Sequence, residues 1–390
     1  MTDWKAAEDE HLLAGYAKFP FVLAKGAGTY VWDDAGRRYL DFYGGHAVAL
    51  LGHCPPVVVE AIRRQAGELL FYSTLAYVPV RARAAAALSS LCGVAEGRVF
   101  FCNSGAEANE AALRVARGAT GRRRVVATYG SFHGRTMGAL AATGLEKYRK
   151  GVAGLGCDVV HVPFGDLRAA EAALAEGAAA FILETVQSMG GALMPPAGYL
   201  EGLRQICDKT GTFLVFDEVQ TGLGRLGAPS AAQAFGVTPD LQTFAKGLGS
   251  GVPIGALLAS PKAAAGVKVG DLGSTFGGGP LACAAAEATL SQVSEKKLWE
   301  HVAAMEVLVR RTFTMPGLTR IQGRGLLLGL VLDRPAKDVQ KALVAKGVLT
   351  GTSEEPNILR LLPPLTVTEG EVAELHAALA EVLAGAGVPA

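Results

Sequence analysis

A doubly wound α/β architecture with a mainly parallel central sheet follows from three features of this sequence. Seven short apolar runs recur between residues 98 and 260. They are continuous instead of alternating, as strands covered by helices on both faces are. Helix-compatible stretches lie between them, and strand–helix–strand alternation builds parallel sheets.

The elements can be justified in order. Residues 1–60 form an N-terminal segment of a small domain, in which GTYVWDDAGRRYLDF reads as a hairpin turning at DDAG. Residues 61–285 form the large domain. Its strand runs are RVFFC (98–102), RVVAT (124–128), DVVHV (158–162), AAFILE (179–184), TFLVFDE (212–218), LQTFAK (241–246) and GALLAS (255–260). EANEAALRVARGA (107–119) and DLRAAEAALAEGAA (166–179) are helical patterns between them. After FGGGPLACAAAEATLSQV a long helix leads into residues 286–390, the C-terminal part of the smaller α+β domain, which packs with the N-terminal segment.

Bulk composition excludes several functions. The chain has 390 residues, half of them hydrophobic, so a large core is available. Lys and Arg (37) nearly cancel Asp and Glu (36), and no basic run suits a nucleic acid. No stretch approaches the roughly 18 apolar residues of a membrane span, and the N-terminus lacks an apolar signal core. Six scattered cysteines form no CxxC pair, so neither a zinc site nor a disulfide framework is expected. Reduced thiols in a cytoplasmic protein are the expectation.

In open α/β sheets, ligands bind beyond the carboxyl ends of the strands. That rule nominates Asn103–Glu107, Phe132–Arg135, Glu184, Asp217, Gln220 and Lys246. Asn103, Ser104 and Gly105 precede a helix whose free N–H groups would meet an anion, although an ordinary N-cap reads the same way. Asp217, at the end of a strong strand, needs a partner. A cationic ring nitrogen would serve, and so would a structural salt bridge. GLGRLG (222–227) matches G-x-G-x-x-G but lies too far from its strand to make the dinucleotide turn. Most lysines are solvated surface charges. A desolvated one at a strand end, facing an acid and an anion pocket, is a nucleophile toward aldehydes. An aldehyde carrying a phosphate and a protonated ring nitrogen would use all three groups, and pyridoxal phosphate is that molecule.

The blocks NSGAEANEAALRVAR, SFHGRTMGAL, FDEVQTGLGRLG, TFAKGLGSGVPIGALLA, GSTFGGGPLACAAA and LRLLPPLTVT, in this order, resemble the class III aminotransferases, acetylornithine/ornithine subgroup. The resemblance runs from about Gly28 to Thr368 and implies the fold-type I architecture of pyridoxal phosphate enzymes. It implies that Lys246 is the Schiff-base lysine and moves a proton, and that Asp217 faces the pyridinium nitrogen. Gln220 would lie near the ring hydroxyl, Val219 and Phe132 on the two ring faces, and Gly105 and Ala106 at the phosphate. Ser274 and Thr275 would reach the site of a neighbouring subunit, which implies a homodimer with shared sites. Arg135 and Arg360 would bind the carboxylates of glutamate and 2-oxoglutarate. Glu184 and His46 complete the expected substrate side, His46 where the family varies with its donor.

The chain departs from the ornithine branch at ETVQSMGG, where Met189 takes the place of a glutamate that neutralises the carboxylate-binding arginine. Arg360 then stays unpaired or finds another acid. N-acetylornithine is the first donor expected and a carrier-linked or acylated lysine the second, with ornithine, 4-aminobutyrate and plain amines beyond them. An aminomutase of this fold would not need 2-oxoglutarate. A non-enzymatic binding protein would be expected to lack the lysine, the ring acid or the stacking aromatic.

Overall fold

The computed structural model describes residues 2–151 and 156–385, so the outermost residues of the terminal segments fall outside the description. The DDAG turn is present between β2 (Tyr30–Asp33) and β3 (Arg38–Asp41), with β1 (Leu23–Ala27) on the far side of β2. All seven apolar runs are strands, the first over its full expected length and the other six trimmed at one or both ends: β4 (Arg98–Cys102), β5 (Val125–Thr128), β6 (Val159–Val162), β7 (Ala180–Leu183), β8 (Phe213–Asp217), β9 (Leu241–Phe244) and β10 (Gly255–Ala259). They form one sheet in the order β4-β10-β9-β8-β7-β5-β6. The ladders from β9 to β6 are parallel, and β10 alone runs antiparallel to both its neighbours.

Helices cover both faces, which explains the absence of alternation in the strands. The helix Gly105–Thr120 presents Ala112, Leu113 and Ala116 to one face, against Val125, Val215 and Leu257. On the other, the helices Leu167–Leu174 and Tyr199–Thr210 meet Phe181, Leu214 and Phe216. Phe181 and Phe216 are fully buried, each a contribution of about 2–3 kcal/mol from area removed from water. The expected helix over 166–179 is shorter than its alanine content suggested. Asp166 caps it through Ala169 N (3.0 Å), but Gly177 turns the chain at φ +73° and Ala179, bonded to Arg124 O, leads into β7 at Ala180.

The helix Pro280–Glu295 packs across the helices Pro56–Glu68 and Pro79–Leu91. Beyond it lie β11 (Leu318–Arg324), β12 (Leu327–Leu332), β13 (Val348–Leu349), β14 (Gly351–Thr352) and β15 (Ile358–Leu361). Four of these make a sheet, β11-β12-β15-β14, while β13 leaves to pair parallel with β3. The two ends of the chain therefore share a sheet.

Candidate active site

A cleft of about 500 Å³ opens beyond the carboxyl ends of β4, β8 and β9, walled by Lys246, Asp217, Val219, Phe132, Arg135 and the start of the helix Gly105–Thr120. Lys246 lies two residues past β9, in left-handed backbone (φ +45°) that a non-glycine residue adopts at a cost. Its amine makes no hydrogen bond or ion pair among the described residues. Desolvation lowers its pKa to about 8, opposed by the charges of Asp217 and Glu184 and aided by that of Arg360.

Asp217 is held on three sides. Its Oδ2 accepts from Asn109 Nδ2 (2.8 Å) and faces His133 Nδ1 (2.7 Å), and its Oδ1 accepts from Val219 N (3.1 Å). Asn109 is itself fixed, donating to the His133 carbonyl (2.7 Å) and accepting from Thr243 Oγ1 (2.7 Å). These bonds hold a buried carboxylate at the cleft wall without an arginine or lysine ion pair.

The helix start shows both of the readings left open for it. Ser104 Oγ caps Glu107 N (3.2 Å), and Glu107 returns to Asn103 N (2.7 Å). The N–H groups of Gly105 and Ala106, in the first helical turn, have no intrahelical acceptor and lie at the cleft. Gly105 is needed for contact: a Cβ there would come within 2.9 Å of the Val219 side chain. GLGRLG is a turn, not a ligand loop. Its Arg225 is fully buried and donates to the carbonyls of Leu326 and Pro363.

Arg360 lies on β15 and is 2 % exposed. Its three hydrogen bonds run to neutral acceptors: Thr352 O (2.7 Å), Ser188 Oγ (2.8 Å) and Tyr43 Oη (3.2 Å). Among the described residues no carboxylate pairs with it, so a buried ion pair is not its role here. Met189 is half-buried and meets Glu354 through the backbone, while the Glu354 side chain pairs with Lys147 (2.6 Å). Tyr43 reaches Arg360 because Gly351 leaves room, since a Cβ on Gly351 would lie 2.3 Å from the Tyr43 ring. Arg135, at the mouth, stacks on Tyr148 (4.7 Å).

The remaining expected residues are more dispersed. His46 is exposed at the rim with its ring 4.7 Å from that of Tyr43. It sits in four successive left-handed residues, Gly44–Ala47 (φ +56°, +53°, +67° and +64°). Asp41 pins that turn through Tyr43 N and Gly44 N (both 2.9 Å). The imidazole pKa is lowered by desolvation and by the charges of Arg360 and Lys246. Glu184 does not wall the cleft. Its two oxygens are taken by Phe132 N (2.8 Å) and Ser188 N (3.3 Å), and burial, with Asp217 nearby, raises its pKa to about 7. Within one chain Ser274 and Thr275 stay outside the cleft too. Ser274 Oγ accepts from Asn103 Nδ2 (3.3 Å) and Gly277 N (3.0 Å), and Thr275 is exposed. Gln220 accepts from Ser188 Oγ (2.7 Å).

Asn109, Tyr43 and Ser188 are not singled out by the sequence, and His133 enters only within the nominated stretch Phe132–Arg135. Asn109 had a signal, as a polar residue one turn past Gly105 on the buried side of its helix. Tyr43 and Ser188 have none.

Comparison with known proteins agrees with this geometry. The family described as aminotransferase class-III matches residues 13–383. The acetylornithine aminotransferase of Methanopyrus kandleri is 42% identical over 97% of this chain and 98% of its own length. That of Streptomyces coelicolor is 43% identical over 95% and 93%. In structure, the ornithine aminotransferase of Toxoplasma gondii superposes with a TM-score of 0.92 at 30% identity, covering 98% of this chain and 94% of that one. The acetylornithine aminotransferase of Elizabethkingia anophelis gives 0.85 at 29%, covering 98% of each. With its cleft beyond the strand ends and its match over almost the whole length, this chain belongs to the class-III aminotransferase family, whose cofactor is pyridoxal phosphate.

Proposed function

We propose that this enzyme transfers the ω-amine of N-acetylornithine to 2-oxoglutarate, giving an aldehyde and glutamate. The observation that carries the reading is the placing of a desolvated lysine beside a firmly held carboxylate, with one arginine at the cleft mouth and an unpaired one buried behind it. The relatives named for acetylornithine support the donor.

The donor set fits pyridoxal phosphate. Asp217 keeps a carboxylate for the ring nitrogen, and the N–H groups of Gly105 and Ala106 suit the phosphate. Phe132 and Val219 would cover the ring faces, and the Gln220 amide would meet the ring oxygen. When bound, the cofactor supplies an aldehyde that condenses with amines and a ring that takes up an electron pair. The Lys246 amine, with its pKa near 8, is in part free base at neutral pH, so it can accept a proton from the substrate carbon and return it. Asp217 keeps its charge in place through three donors. Arg360 holds the carboxylate next to the reacting carbon of 2-oxoglutarate or glutamate, and Arg135 the distal one. Glu184 positions Phe132 through its backbone N–H.

A homodimer fits the surface. Phe276 (64 % exposed) follows Ser274 and Thr275, and Phe71 meets its ring at 5.1 Å; Arg81 bridges the carbonyls of Ala76 and Gly278, which brings the exposed Leu75 (92 %) and Tyr77 (105 %) to the same face. A second copy covering this face would bring Ser274 and Thr275 to its neighbour's cleft. No helix among the described residues is long and apolar enough to cross a membrane, and the six cysteines are free.

Absorbance of the holoenzyme tests the function. Adding N-acetylornithine without keto acid should bleach the visible cofactor band, and adding 2-oxoglutarate should restore it. Bleaching by other amines but not by this one would remove the donor assignment. Near-native turnover in Lys246→Ala would remove the site itself.

A further inference from the structure

Arg360 and Gln220 are joined through one hydroxyl. Arg360 Nη1 donates to Ser188 Oγ (2.8 Å), and Ser188 Oγ donates to Gln220 Oε1 (2.7 Å). The directions follow from the groups that meet. A guanidinium has only donors, so the hydroxyl accepts from it, and the Gln220 carbonyl oxygen has only lone pairs, so it accepts the hydroxyl proton. With Oε1 engaged in this way, the two N–H donors of Gln220 point away from Ser188, and no described residue accepts them. Ser188 is fully buried and its backbone N donates to Glu184 Oε2 (3.3 Å), which fixes its place in the chain.

The same contact decides the charge of the region. All three acceptors of Arg360 are neutral. A carboxylate in the place of Ser188 would hold the arginine equally well but would cancel its charge. A hydroxyl orients the guanidinium and leaves it charged.

We propose that Ser188 is a positioning residue with two effects: it holds Arg360 charged and oriented for a substrate carboxylate, and it sets the Gln220 amide so that its donors face the cofactor. The proposal rests on the reading of Arg360 as the carboxylate-binding residue. A carboxylate arriving at Arg360 repolarises the Ser188 hydroxyl and, through it, the Gln220 amide, since linked hydrogen bonds polarise one another. Dicarboxylate binding is thereby felt at the cofactor ring without any contact between the two.

Glutarate, a dicarboxylate with no keto group to react, is the probe. It is titrated calorimetrically into the holoenzyme while the visible cofactor band is followed. The wild-type protein binds glutarate and its band shifts. In Ser188→Ala the affinity falls roughly tenfold, as expected for losing a hydrogen bond to a charged group, and the band shift is lost. Native affinity with a native shift in Ser188→Ala, beside lost binding in Arg360→Ala, overturns the proposal alone. Native glutarate binding in Arg360→Ala overturns the reading of Arg360 and the proposal with it. If circular dichroism shows that Ser188→Ala does not fold, Gln220→Leu cuts the chain at its other end. That variant keeps glutarate affinity and loses the shift, and a retained shift overturns the proposal.

Discussion

Replacing Asn109 with alanine removes three hydrogen bonds from a residue only 1 % exposed. The His133 carbonyl and the Thr243 hydroxyl each lose a buried partner, and Asp217 Oδ2 loses one of its two. Stranding a buried polar group costs about 1–3 kcal/mol, with charged groups at the upper end. Two neutral losses at the low end and one charged loss sum to about 3–5 kcal/mol. For a chain of 390 residues, the entropy of unfolding converts that into a fall in melting temperature of roughly 5 °C. Asp217 is also less firmly held, so the cofactor should stabilise the variant less than it stabilises the wild type. Differential scanning calorimetry of apo and holo forms measures both effects. A fall below about 1 °C, or an apo–holo gap equal to that of the wild type, would refute the view that Asn109 fixes the ring-facing acid.

Three other outcomes follow from the same geometry. Gly105→Ala forces a methyl against Val219, and overpacking of this kind costs about 1–3 kcal/mol; equilibrium dialysis should show weaker cofactor binding, and native affinity would show that the contact relaxes freely. In the apo protein, trinitrophenylation of Lys246 should rise with a midpoint near pH 8; a midpoint close to the ordinary lysine value of 10.5 would contradict its desolvation. Glu184 has its pKa raised by burial to about 7 from the ordinary glutamate value of 4.5. Between those values the folded state keeps a proton that the unfolded state has released, so Glu184 lowers stability as pH rises from about 4.5 to 7 and adds no slope above. Glu184→Gln should flatten melting temperature against pH in that window, and an unchanged slope would assign the effect elsewhere.

Lys246 and Asp217 were legible because each follows a continuous apolar run, and parallel strands place their carboxyl ends on one rim. The central sheet was legible for the same reason. Ser188 and Tyr43 were not. Their meaning depends on Arg360, which lies more than 150 residues away from either and meets them only after β15 has packed against the rest of the chain. The departure at Met189 pointed to the right segment, but the residue beside it takes up the arginine. The helix over 166–179 was misjudged because alanine favours helix wherever tertiary structure allows it, and the register of β7 did not. Ser274 and Thr275 stay outside the cleft of their own chain, and the place proposed for them, a neighbour's cleft, leaves no mark in a local pattern.

The pairing of β13 with β3 sets a timetable for synthesis. β3 ends at Asp41, whereas the strand that lies beside it begins at Val348. At about 5–20 residues per second, a ribosome takes roughly 15–60 s to make the stretch between them. Throughout that interval the β3 edge that β13 will cover has no partner, and unpaired edges recruit strands from other molecules. The site beside it waits as well, because Tyr43 meets no arginine until β15 has left the exit tunnel. Loss of the last fifth of the chain should therefore leave aggregating material and not a slower enzyme.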